Sequence, residues 1–205
     1  MPLFPLNIVV FPGEILNLHI FEPRYIELIN DVLMDDLDFG MPTYINNSVE
    51  YGTTIKITEV TKIYEDGRMD LKSVGSTIFK VLKFYNPTYG KQYAAGKVEY
   101  IENINNPDYE LRDQLREMLS ELFNKLDAKK SPKISDEFNS YDVAHFAGLS
   151  VSSKYQLLKL TSEKERQKYL LKHLKKIMPV MENVEETKKR IGMNGHFRYF
   201  NPLDF

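Results

Sequence analysis

Four histidines, His19, His145, His173 and His196, are the side chains in this sequence best suited to proton transfer or metal ligation near neutral pH. None has a second histidine three to five residues away, as a helical or finger-type metal site requires, so each reads as a partly buried or surface imidazole. The chain has no cysteine, which excludes thiolate metal sites and a disulfide framework. Its ten glycines are scattered singly, and none precedes a Lys-Ser or Lys-Thr pair at the spacing of a phosphate-cradling loop. No Gly-x-Ser-x-Gly turn presents a serine nucleophile, and the carboxylates fall where helix surfaces and turns are expected rather than as a convergent pair. The residue chemistry therefore implies no catalytic residues, no metal and no cofactor, and the candidates that remain are binding features.

Three stretches qualify. The opening PLFPLNIVVFPGEILNLHIFEPRYIELI is dense in apolar residues yet broken by Pro2, Pro5, Pro12 and Pro23. From Lys154 to Arg190 there are 11 Lys or Arg against 5 Asp or Glu, an excess of 6, which reads first as solvated helix faces. The tail MNGHFRYFNPLDF carries Phe197, Tyr199, Phe200, Leu203 and Phe205, whose apolar area is costly to leave in water, so it is expected to dock on its own domain or on a partner.

The elements that position these stretches follow from periodicity. Short apolar runs at Leu3–Leu6, Ile8–Phe11 and Ile15–Ile20, punctuated by proline, predict brief strands joined by sharp turns. Glu22-Pro23 marks a helix start, and Ile26, Ile29, Val32 and Leu33 carry it to about Met34, ahead of an acidic turn at Asp35, Asp36 and Asp38. Ile55, Ile57, Val60 and Ile63 alternate with a change of parity that predicts a bulge. Asp66-Gly67 predicts a two-residue I′ hairpin, and Gly75 a bend before the strand through Phe84. A last strand lies within Tyr93–Ile104. Six or more short strands and one helix imply a curved, partly closed sheet.

After Asn106-Pro107 the period becomes helical, with Asn106 as cap and a stripe of Leu111, Leu115, Met118, Leu119, Leu122 and Leu126. A loop over Ala128–Asn139, a short helix stopped by Gly148, and a helix started by Ser152 or Ser153 follow. Ser162 and Glu165 have capping-box spacing ahead of Tyr169, Leu170, Leu174, Ile177 and Met181, with Pro179 kinking or ending that helix near Met178. The class is α+β, divided as a β subdomain over 1–105, a helical bundle over 106–191 and an aromatic tail over 192–205.

At 205 residues and 42% hydrophobic content the chain can bury a core without metals or disulfides. A formal net charge of -2 gives no bulk attraction to nucleic acid or membrane, and prolines divide the N-terminal apolar run far below the ~20 residues of a membrane helix. The expected setting is soluble and cytoplasmic.

The opening stretch closely resembles the start of the amino-terminal substrate-binding domain of Lon proteases, in the order PLFPL, a short hydrophobic run, FPG and LHIFEPRY. VAHFAGLSVSSKYQLLKL is similar to that family's helical section, and the resemblance covers roughly residues 2 to 183. It implies a PUA-like β domain followed by a small helical bundle. It also implies a non-catalytic module that recognises unfolded or exposed segments of other proteins, in company with a separate ATP-dependent protease, since the ATPase and protease modules are missing from the chain. One departure stands out: where the family has Gly-x-x-Arg-Phe, this sequence has Gly75, Ser76, Thr77, Ile78 and Phe79.

Within the motif, Phe21 reads as a core anchor, Pro23 as the helix entry, Arg24 as a partner for carbonyls or a carboxylate, and Tyr25 as packed with its hydroxyl outward. Phe21, Arg24 and Tyr25, with Phe197, Tyr199 and Phe200 of the tail, are the candidate peptide- or partner-binding residues. The alternative, an RNA-binding protein, draws on the PUA-like fold and the basic segment and predicts steep salt dependence.

Overall fold

The computed structural model describes residues 1–125 and 134–193, with side chains as far as Val180. In chain order the elements are β1 (Pro2–Leu3), β2 (Ile15–Ile20), α1 (Pro23–Met34), β3 (Phe39–Ile45), β4 (Ser48–Ile63), β5 (Met69–Tyr85), β6 (Ala94–Tyr100), α2 (Tyr109–Lys125), α3 (Ser140–Ala144), α4 (Val151–Leu158) and α5 (Glu163–Met193). The strands form one mixed sheet in the order β2-β5-β4-β3-β1-β6, and β5 pairs again with β6. That second pairing closes β5, β4, β3, β1 and β6 on themselves. β2 uses the same edge of β5, at Met69–Val74, that β6 uses at Phe79–Tyr85, and so stands outside the closed part. The α+β class and the partly closed sheet are those expected.

The strands are not uniformly short, because β4 and β5 run for 16 and 17 residues. Their length is made compatible with closure by register shifts at Thr53/Ile55, Ile57/Glu59 and Val60/Lys62, the second of which is the bulge expected between Ile57 and Val60. The predicted I′ turn is at a different hairpin. At Asp66-Gly67 only Gly67 has positive φ, 87°, and Tyr64 N–H donates to the Arg68 carbonyl at 2.9 Å around a longer loop. Asn46 and Asn47, between β3 and β4, hold φ of 51° and 59°. Two successive left-handed residues meet the I′ requirement, which asparagine tolerates because its short amide bonds locally.

Ile8–Phe11 is not a ladder strand as predicted, yet side chains bond part of its backbone. Thr43 Oγ1 donates to the Ile8 carbonyl at 2.9 Å, Thr53 Oγ1 to the Val10 carbonyl at 2.6 Å, and Phe11 N–H to Glu14 Oε2 at 2.9 Å. Side chains replace a partner strand, so Val9, Val10 and Phe11 are buried without one. Gly75 makes no end to β5. A Cβ there would stand 2.4 Å from the Phe11 carbonyl oxygen, so glycine admits the close crossing of the opening segment.

Glu22 is the extended N-cap of α1 and Pro23 its first residue. Tyr25, Leu28, Ile29 and Val32 recur at helical spacing and pack with Ile20, Phe39, Met41, Ile55, Met69 and Leu71. The helix ends where expected, at Met34, with Asp36 at φ 50°.

In the helical half, the caps differ from those read in sequence. Asp108, not Asn106, starts α2 by accepting from Leu111 N–H at 3.2 Å. Asn106 instead accepts from the Ser162 hydroxyl at 2.9 Å and from Lys164 N–H at 3.4 Å, so it serves the start of α5 in place of the expected Ser162/Glu165 box. Ser150 caps α4, two residues before Ser152 and three before Ser153, the serines predicted. Pro179 lies exposed inside α5, which continues to Met193, so the reading that ends the helix near Met178 is not realised. One missing donor on the solvent side is a local loss that a helix already packed through Leu170, Leu171, Leu174 and Met178 withstands. These residues meet Leu115, Leu119, Leu122 and Phe123 of α2, and the same cluster takes Val9, Phe11 and Ile78 from the β half. Ile78 is therefore an apolar residue at an apolar seam. Leu126, Met181, much of the 128–139 loop and the whole aromatic tail lie outside the residues whose side chains are described.

Candidate functional site

Among the described residues β2 pairs with β5 alone, from Ile15 opposite Val74 to Ile20 opposite Met69, and is the terminal strand of the sheet order. Its burial alternates. Leu16 and Leu18 are partly covered and Ile20 is buried toward α1, whereas Ile15, Asn17 and His19 face outward, with Ile15 74% exposed. Phe21 prolongs that outward row and is 60% exposed, so it is not the core anchor predicted. The physical reason is parity: Ile20 is the last inward residue before Pro23 turns the chain into α1, and Phe21 falls on the opposite face.

His19 organises this face. Its Nδ1 lies 2.6 Å from Asp70 Oδ1, while Tyr64 donates its hydroxyl to Asp70 Oδ2 at 2.8 Å. The hydrogen bonds from His19 first and Tyr64 second hold the Asp70 carboxyl below the usual carboxylate range. The His19 ring stacks near Phe21 with centroids 5.9 Å apart and meets the Tyr64 ring edge-on at 5.8 Å. Lys62 Nζ and the Arg68 guanidinium cover Tyr64 at 4.2 and 4.9 Å from its centroid. Beside them a shallow hollow of about 210 Å³ runs over Asn17, Leu18, His19, Thr61, Asp70 and Lys72. Both Asp70 oxygens are engaged, and the face presents an aromatic rim beside a strand edge that is unpaired among the described residues.

Of the other candidates in the motif, Arg24 is exposed and makes two hydrogen bonds to Glu22 Oε2, at 3.0 and 2.8 Å. Its guanidinium lies 4.5 Å above the Tyr25 ring, which is 6% exposed and stacked on Phe4 with centroids 3.7 Å apart. Burial pushes the Tyr25 hydroxyl up. Tyr25 thus belongs to the core that seats α1, while Phe21 and Arg24 remain on the surface. His19, Tyr64 and Asp70 were missed in the sequence because their meeting depends on the β2–β5 register, although Asp-x-x-x-Asp around a Gly turn and an outward histidine were visible separately. The predicted binding residues Phe197, Tyr199 and Phe200 lie outside the described residues.

Elsewhere, Lys168, Lys172, Lys175 and Lys176 of α5 face solvent, and Arg166 alone among the described basic residues of that helix is buried. Among the described residues no group of three or more His, Cys, Asp or Glu is placed to hold a metal ion, and no helix is long and apolar enough to cross a membrane.

The model of the ATP-dependent protease La (LON) substrate-binding domain matches residues 1–176. The chain belongs to this family. A Lon protease of Orientia tsutsugamushi is 29% identical over 224 residues, covering 95% of this chain and 27% of the relative. Protein cereblon of Xenopus tropicalis is 25% identical over 162 residues, covering 75% of this chain and 36% of the relative. The chain thus spans about a quarter to a third of these relatives' length. Among solved structures, a Lon N-terminal domain protein from Xanthomonas campestris superposes with TM-score 0.62 at 24% identity, covering 83% of this chain and 96% of that one. The N-terminal domain of a Mycobacterium avium complex Lon protease does so with TM-score 0.62 at 13% identity, covering 85% and 97%. At such identities the two structures establish the fold, and the family match establishes a Lon-type substrate-binding domain.

Proposed function

We propose that this Lon-type domain is a non-catalytic recognition module that takes an extended, exposed segment of another protein along the open edge of β2. The observation that carries the reading is β2 itself: a six-residue strand that, among the described residues, is paired on one side only, with Phe21, His19 and Tyr64 grouped on its outward face. An added strand gains main-chain hydrogen bonds from the edge, and alternate side chains of the client meet the aromatic rim and the hollow beside His19. Clients with apolar residues at every second position are favoured, since Ile15 and Phe21 bury area only against apolar partners. A separate ATP-dependent protease is the partner to which bound clients pass.

Crosslinking of the purified protein to an unfolded client tests the reading. Capture above the level of a folded control of similar charge, reduced by Phe21→Ser, is the expected result. Capture equal to the control overturns it, and a complex with RNA that dissolves steeply with salt would favour nucleic acid instead.

A further inference from the structure

A second pocket, of about 440 Å³, lies in the seam where the starts of α2, α3 and α5 meet the connecting segments at Pro12, Asn103 and Phe138, and it shares no lining residue with the β2 face. Its size falls within the ~300–1,000 Å³ of small-molecule sites. Glu163 and Arg166 form part of the wall, but their polar atoms are occupied. Glu163 Oε1 accepts from the Ser140 N–H and hydroxyl, both at 2.8 Å, and Arg166 donates to Glu163, to the Leu160 carbonyl and to Asn103 Oδ1 at 2.9, 2.8 and 2.8 Å.

Two other wall residues are not satisfied. Tyr141 is 4% exposed, and its hydroxyl has no hydrogen-bond partner among the described residues. Its ring is fixed between Phe11, with centroids 5.1 Å apart, and the Arg166 guanidinium, 4.4 Å from its centroid. Arg112 Nε is likewise buried and unpartnered, with the guanidinium 5.0 Å from the Tyr109 ring centroid. Buried polar groups left without partners are uncommon in folded proteins and point to something that completes them. Burial pushes the Tyr141 hydroxyl up to about 12 against the opposing pull of the Arg166 guanidinium, so it remains a proton donor throughout the neutral range.

A guanidinium nitrogen only donates, so the missing group is an acceptor, and the positive charge of Arg112 favours an anionic one. Glu137 and Glu163 stand in the same wall and oppose a doubly charged phosphate. Pro107, Tyr109 and Phe138 supply an apolar flank. We propose that the seam pocket binds a carboxylate carrying a small apolar body, with the Arg112 guanidinium and the Tyr141 hydroxyl donating to the carboxylate and Tyr109 and Phe138 flanking the body. The shared chemistry covers a peptide chain end and a free small acid.

The test titrates the full chain, labelled for backbone amide resonances, with N-acetyl-Ala-Leu, with the same dipeptide as its C-terminal amide, and with isovalerate, each to about 10 mM, a range that detects millimolar binding. The expected result is saturable shifts at Tyr109, Arg112 and Tyr141 with the free dipeptide and about tenfold weaker binding of the amide. Isovalerate binding as well as the dipeptide would identify a free acid as the source, and its failure a chain end. Arg112→Gln and Tyr141→Phe should each weaken binding several-fold, and the latter should melt no lower than the parent because it removes a hydroxyl with no internal bond. Absence of shifts with both carboxylates, equal binding of the amide, or undiminished binding by a folded Tyr141→Phe variant would overturn the proposal.

Discussion

Glu163 and Arg166 form an ion pair at 2.9 Å with only 1% and 2% of their side chains exposed. The pair is one turn of α5 apart, yet it reaches three other segments: Ser140 at the start of α3, the Leu160 carbonyl between α4 and α5, and Asn103 between β6 and α2. Two charges withdrawn from water persist here because hydrogen bonds engage the atoms that water would otherwise solvate.

Removing one member should therefore cost more than the pair contributes. Glu163→Ala is expected to lower unfolding free energy by about 3–5 kcal/mol, because Arg166 is left charged and buried. The joint replacement Glu163→Leu with Arg166→Met should lose far less than the sum of the singles. Urea denaturation of the four proteins in the cycle checks this, and additive losses would contradict it.

Gly75 tests the crossing of the opening segment over β5. With a Cβ 2.4 Å from the Phe11 carbonyl oxygen, Gly75→Ala should destabilise by about 1–3 kcal/mol. Gly67, where nothing stands within 4 Å but φ is 87°, should lose about 1–2 kcal/mol on the same change, from backbone strain alone. Retained stability at position 75 would mean that the opening segment does not lie against β5.

Neighbouring residues of one motif separate stability from binding. Phe21→Ser should change stability by no more than about 0.5 kcal/mol, since the side chain is 60% exposed, while weakening client capture. Tyr25→Ala should cost about 3–5 kcal/mol through the lost packing on Phe4. Thermal melts beside crosslinking yields distinguish the two.

The outward face should also respond to acid. The Asp70 carboxyl is held below its usual range by His19 and then Tyr64, so its contribution is complete above the unfolded value of about 3.9 and is lost as pH falls through its own lower midpoint. A carboxyl-carbon titration should place that midpoint below about 3.9, and His19→Ala should raise it. A midpoint at the ordinary value in the parent protein would show that the contact is not formed in solution.

Much of this was legible in the order of residues. Proline spacing located the turns of the opening segment and the start of α1, and the change of parity at Ile57 and Val60 located a bulge. What sequence did not reveal depends on distant register. Phe21 looked like core because the motif is apolar, and only the alternation established by Ile20 turns it outward. Asn106 looked like the cap of the helix that follows it, but the bridge between Ile104 and Ser162 brings it to α5 instead. In sequence Arg166 reads as one more solvated basic residue, since nothing local marks one arginine of a charged helix as buried. The β2 face was invisible for the same reason: His19 and Asp70 are 51 residues apart and meet through strand pairing.

Whether an extended client adds to the edge of β2 is decided by amide hydrogen exchange of the labelled protein with and without an unfolded client segment. New protection is expected at alternate amides of Ile15–Ile20, with shift changes at His19, Phe21 and Tyr64. Protection confined to other elements, or none at client concentrations that saturate capture, would contradict it.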